Sequence, residues 1–428
     1  MKKIEKELKT FYIFILGQFV SQLGSRITSC AVGLWAYKES GKVLSIAVLT
    51  ACYLVPEICL NFIAGSISDR FNKKKIMLIA DTIAACTSVA LLFLLISGNM
   101  EIEYLYLINI VLGVADAFQS TASEVAISLI VSKKHYIKIS GLQSLSSSFI
   151  NILYPIIATS MYAFVGLIPI VCIDLFTFVF AFITLLFGVK IKEHKVGSDE
   201  EEGIIKKCLL GIKYIFNTTG IKELIIFMAF INLIVAMYDT ILTPMVLSRT
   251  NQNDAQLGIV TSMVGIAGIL GSRLVFLVKD VKHRMKMSAF IMAFSMLICN
   301  SLLGIGRNYI VWTIAIFLGN ILIPIFTANI SYVMRVNIPI EMQGRVFSAR
   351  NTLQYFSIPV GNLLGGFLAD KVFEPFMMNK SFMQEICSVF VGKGTGSGIA
   401  LLLVVLALIG FIGCSYFGIN KNMNSLDK

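Results

Sequence analysis

The sequence predicts an all-α membrane protein that crosses a bilayer many times, with twelve helices in two halves of six. Composition is the first observation behind this. Hydrophobic residues make up 57% of the 428 and charged residues 14%, with a mean hydropathy of +0.82. That leaves too little polar surface to coat a soluble globule of this length. The second observation is length. Apolar stretches of about 20 residues, enough to cross ~30 Å of hydrocarbon, recur along the whole chain. In lipid every backbone N–H and C=O has to be satisfied internally, and a helix does this within one segment.

In chain order the runs fall at 11–37, 43–67, 76–96, 104–131, 139–164 and 167–189, and then at 224–247, 257–278, 287–305, 309–334, 346–369 and 399–417. The first is too long for a cleavable leader and a second follows closely, so it is read as a helix. Residues 190–222, "KIKEHKVGSDEEEGIIKKCLLGIKYIFNTTGIK", form a polar cytoplasmic linker between a first half, 1–189, and a second, 223–428.

Charge orients the chain. The net charge of +11 could suggest a nucleic-acid surface, but most of the 36 lysines and arginines lie in every second loop and not in one patch. Lys2, Lys3, Lys6, Lys9, Arg70, Lys133, Lys134, Lys279 and Arg284 fall on one side, against a few such as Lys38, Lys42 and Lys393 on the other. The positive-inside rule then places both termini in the cytoplasm, with the protein in the cell membrane.

Residue types narrow the chemistry. The nine cysteines include no CxxC pair and lie mostly in apolar runs, as small buried hydrophobes do. The three histidines, His135, His194 and His283, fall in expected loops. No metal site and no cofactor is expected, and the absence of HExxH, GxSxG and Walker patterns argues against an enzyme and against direct ATP drive. Trp35 and Trp312, near expected outer helix ends, read as interfacial anchors.

The stretch "AGSISDRFNKKKIM", residues 64–77, sets one acid and four bases between two apolar runs. A degenerate echo follows in the second half, where Asp280, Arg284 and Lys286 repeat the spacing of Asp69, Lys73 and Lys75. With its two six-helix halves, the chain resembles the major facilitator superfamily, whose signature between helices two and three is matched by Gly65, Asp69, Arg70, Lys73 and Lys74. Asn72 stands where that signature has glycine, and a left-handed turn is expected there. Four stretches resemble the macrolide-efflux-like branch of drug exporters: "GQFVSQLGSRIT", "DRFNKKKIMLIAD", "IDLFTFVFA" and "GRVFSARNTLQYFSIPVGNLLGGFLAD". The stretch "SFINILYPIIATS" departs from the antiporter pattern, keeping Pro155 without the glycines.

The resemblance implies a secondary transporter working by alternating access, a monomer that exports amphipathic drugs such as macrolides against a proton gradient. A siderophore or metabolite exporter, or an importer, on the same fold is the alternative. It also implies an inner gate in which Asp69 faces the start of helix eleven near Arg345, while Lys73 or Lys74 reaches Glu124. Charges inside membrane helices are costly and mark function by default. Arg26, Glu57, Asp116 and Asp239 fall on helices one, two, four and seven, which line the cavity in that superfamily, and are candidates for proton coupling or ligand contact. Asp81 and Asp174, on helices three and six, are read as structural. Gly361, Gly365 and Gly366 give helix eleven a small-residue face for close, sliding helix contact.

Overall fold

A computed structural model describes residues 2–130, 136–189, 204–275 and 282–427. Among them there are helices and no strand. Two compact units emerge: residues 1–40 with 48–201, and residues 41–47 with 202–428. The first five residues of the second helix therefore group with the second unit.

The first unit holds α1 (Lys2–Ser40), α2 (Val43–Arg70) from residue 48 onward, α3 (Lys73–Ser97), α4 (Ile102–Ile130), α5 (Tyr136–Val165) and α6 (Leu167–Ile183), which runs on through a π-helical turn, Thr184–Gly188. Helix α1 packs against α5 and α6, and α3 against α4 and α6. One apolar cluster joins Ile27, Ala31, Leu91, Leu105, Ala158 and Ile170. Asn72 departs from the expected left-handed turn. At φ −63° and ψ 112° it is extended and caps α3, its side chain accepting from the Lys75 amide at 2.8 Å. An asparagine side chain satisfies an orphan amide that glycine would leave open.

The second unit begins with α7 (Ile204–Asn217), so half of the expected linker is an ordered helix packed on later elements. It continues with α8 (Ile221–Arg249), α9 (Asp254–Val275), α10 (Arg284–Ile305), α11 (Tyr309–Asn320), α12 (Ile323–Asn337), α13 (Ile340–Tyr355), α14 (Ser357–Phe367), α15 (Glu374–Met378), α16 (Phe382–Val391), α17 (Ser397–Ile419) and α18 (Lys421–Asn424). The expected tenth helix is broken between α11 and α12, next to Pro324, which has no amide to continue the ladder. The expected eleventh, 346–369, falls on α13, α14 and the start of a π-helical turn, Leu368–Phe373.

Ten helical stretches among the described residues are long and apolar enough to span a membrane. Two of the twelve expected runs, the first and the eleventh, are not among them, and both are interrupted by polar residues: Gln18, Gln22 and Arg26 in the middle of α1, and Arg350, Asn351, Gln354 and Asn362 along the eleventh. Trp312 is not an interfacial anchor. It is fully buried and donates its indole N–H to Gly306 O at 3.1 Å, closing the turn before α11.

Candidate functional site

Four residues of the first unit meet at one place. Tyr53 and Glu57 are one turn apart on α2 and so share a face. Tyr53 Oη donates to Asp116 Oδ2 of α4 at 2.5 Å, the length of a charge-assisted hydrogen bond. Glu57 lies within electrostatic reach of both Asp116 and Arg26 of α1, and Arg26 also acts on Tyr53. Arg26 is solvent-accessible, while Tyr53, Glu57 and Asp116 are half-buried.

The sequence around Asp116 explains the approach. Gly113, one turn away on α4, sits against the backbone of Tyr53, where an added Cβ would run into the Tyr53 carbonyl. The missing side chain lets α2 and α4 cross closely enough for the phenol to reach the carboxylate. Two carboxylates thus lie in the neighbourhood of one guanidinium, which leaves one negative charge in excess when both acids are ionised. Such a site can neutralise itself with one proton or with one cationic ligand.

The expected candidates thus divide. Arg26, Glu57 and Asp116 come together in the first unit. Asp239 belongs to the second, on α8, where it is the one exposed residue between buried Ala236 and Leu242. Asp174 is buried and accepts from Ser25 at 3.4 Å and Ser88 at 3.1 Å, tying α1, α3 and α6 together. Asp81 is also buried, but its Oδ2 has no hydrogen-bond partner, and it lies within electrostatic reach of Asp116. Tyr53 and Gly113 were not singled out by sequence. The only signal for Tyr53 was its four-residue spacing from Glu57.

Of the expected inner gate, the side chains of Asp69, Arg70 and Arg345, and likewise Gly65, lie outside the described residues. Lys73 is buried at the start of α3, and Lys74 donates to Leu186 O at 2.8 Å and Val189 O at 2.9 Å, holding the end of the sixth run. Glu124 stands exposed on α4. Gly361 and Gly365 lie against α8: a Cβ on Gly365 would come within 2.9 Å of Met237 Cα, and one on Gly361 within 2.9 Å of Ala236 Cβ. Gly366 meets Leu44 and Ala47 at the start of α2. No group of three or more His, Cys, Asp or Glu among the described residues is arranged to hold a metal ion.

Comparison with known proteins places the chain. The Major Facilitator Superfamily profile matches residues 14–362. The chain is similar to Macrolide efflux protein A of Streptococcus pyogenes, 21% identical over 379 residues that cover 87% of this chain and 92% of that protein. Among solved structures it resembles a bacterial homologue of the iron transporter ferroportin in an inward-facing state, with TM-score 0.69 and 16% identity over 95% of this chain and 99% of that one. It also resembles a variant of the nucleoside transporter NupG, with TM-score 0.69 and 14% identity over 94% and 99%. At such identities the solved structures speak for the fold alone. With the family profile running from the first helix into the eleventh, this chain belongs to the major facilitator superfamily of multi-pass membrane transporters.

Proposed function

We propose that the protein exports cationic amphipathic molecules, macrolide-like drugs among them, in exchange for protons. The observation that carries this is the imbalance at the candidate site: Glu57 and Asp116 against Arg26. One proton and one cationic substrate compete for the same excess charge, so binding either releases the other, which is the elementary requirement of antiport. Similarity to a macrolide efflux protein supports the direction and the substrate class. Asp239, on α8 of the second unit, is a separate candidate for proton or ligand contact. The basic turn after α2, with Asp69 and Arg70, biases the conformational exchange, and Lys74 anchors that turn to the end of the sixth run through the Leu186 and Val189 carbonyls. A surface charge pair is worth about 0–1 kcal/mol, enough to bias two conformations without locking either. Both termini face the cytoplasm, and the functional unit is one chain in the cell membrane.

The test uses the purified full chain in liposomes with an imposed pH gradient and a set of cationic amphipathic drugs. The native protein accumulates drug uphill. Asp116→Asn loses accumulation and keeps downhill exchange of drug, because the cavity stays open while the competition for one charge is gone. Uphill transport by Asp116→Asn at the native rate would overturn the coupling role. Transport of a neutral metabolite with no drug flux, or drug movement only towards the cytoplasmic side, would favour the importer or metabolite-exporter reading.

A further inference from the structure

Helix α16 and its flanks, "SFMQEICSVFVGK" at residues 381–393, play no part in the candidate site. Ser381 starts the helix by accepting from the Gln384 amide at 3.1 Å. Ten residues rise only ~15 Å, about half the hydrocarbon thickness, so α16 does not cross a membrane. It lies where its neighbours end. Arg249, the last residue of α8, donates to Val391 O, and Arg307, in the turn between α10 and α11, donates to Val389 O at 3.5 Å.

The polarity of this helix is inverted relative to a helix on a soluble domain. Gln384 and Ser388 face the protein, 8% and 7% exposed. Phe382 (77% exposed), Met383, Ile386, Val389 (70%) and Phe390 (59%) point away from it. Their spacing forms one continuous stripe on a helix. Val372 and Met378, in the segment that precedes α16, are exposed as well. Lys380, Arg307 and Lys393 are exposed around it, against the single acid Glu385 on the helix itself.

We propose that α16 is an interfacial helix seated on phospholipid, with its apolar stripe among the upper acyl segments and Lys380, Arg307 and Lys393 on lipid phosphates. Charge complementarity selects this occupant. A second copy of the chain would bring the same bases face to face, whereas a phosphate layer neutralises them. The stripe is also too apolar and too continuous for water. Arg249 makes the seat consequential, since it ties the lipid-bound helix to the end of α8, the helix that carries Asp239. The lipids of that leaflet thereby act on a transport helix.

Fluorescence quenching in proteoliposomes of the full chain tests this. Phe390→Trp, and independently Phe382→Trp, add a reporter at exposed positions where folding is undisturbed; the native protein, with Trp35 and Trp312, gives the background. Lipids brominated in the upper acyl chain are expected to remove at least ~half of the added emission, and iodide in the buffer little of it, as for a residue at the headgroup boundary. At equal low mole fraction, brominated phosphatidylglycerol quenches more than brominated phosphatidylcholine, and Lys380→Gln with Lys393→Gln narrows the difference, leaving the share of Arg307. Quenching by iodide and not by lipid would overturn the proposal in favour of an aqueous face. Quenching by neither would overturn it in favour of a protein-covered one. Equal quenching by the two lipids would overturn the seating of these bases on anionic headgroups, since phosphatidylcholine also carries a phosphate and differs in having no net charge.

Discussion

At the scale of single residues, the informative contact is the Tyr53 to Asp116 hydrogen bond. A hydrogen bond to a charged group contributes about 1.5–3 kcal/mol. If the phenol holds Asp116 in the geometry that faces Arg26, Tyr53→Phe should lower proton-driven drug accumulation by roughly tenfold to a hundredfold, with drug affinity less affected. Initial rates and half-saturation measured in the same vesicles separate the two. A fall in affinity at constant maximal rate would make Tyr53 a drug contact and not a coupling residue. The acids and Arg26 were legible because charge inside an apolar run is expensive. Tyr53 was not, since a tyrosine in a membrane helix is far more often packing or interface. Gly113 was illegible for a related reason: its function is the absence of a side chain, and only the crossing helix shows what that absence admits. Asn72 was legible as a turn residue but assigned the wrong role, because asparagine serves both left-handed turns and helix caps.

At the scale of elements, the end of the eleventh run behaves as a double cap. Asp370 accepts from the Val43 and Leu44 amides at 3.1 and 2.8 Å, and Glu374, one turn later, accepts from Gly396 at 2.7 Å, Gly398 at 3.0 Å and Ile399 at 3.3 Å. Two acids four residues apart thus hold the starts of α2 and α17, whose first amides have no partner within their own helices. A cap acceptor is worth about 0.5–2 kcal/mol, so Asp370→Ala should speed hydrogen exchange at the Val43 and Leu44 amides roughly 2- to 30-fold, and Asp370→Asn less. Unchanged exchange at both amides would mean that the packing of Gly366 on Leu44 and Ala47 holds this end of α2 without the acid. The apolar pattern located these elements but not their interruptions. Leu368–Phe373 continues a hydrophobic run that reads as ordinary helix, and the break after α11 is visible only through Pro324. Within the linker the sequence left the secondary structure unassigned. Its lysines dominated the reading, while Ile215, buried in the structure, marks α7 as a packed helix.

For the whole molecule, the distribution of bases is the widest-ranging signal in the sequence, because topology is imposed loop by loop and requires no tertiary contact. The assignment is testable at two described turns. Phe71 is exposed between α2 and α3, beside the basic cluster expected inside, and Lys393 is exposed between α16 and α17, on the face expected outside. With a membrane-impermeant maleimide on intact cells, and the unmodified protein as background for its native thiols, Lys393→Cys should label at once. Phe71→Cys should label only after the membrane is opened. The two outcomes are coupled through chain order: from the α2–α3 turn to the α16–α17 turn the chain must cross the membrane an odd number of times, nine if each of the runs from the third to the eleventh spans. Labelling of both sites from outside would break that parity and show that one run, most simply α13 to α15 with its interruptions, re-enters without crossing. The reversed pattern would keep the parity and invert the orientation. It would then place α16 and its lipid phosphates in the cytoplasmic leaflet.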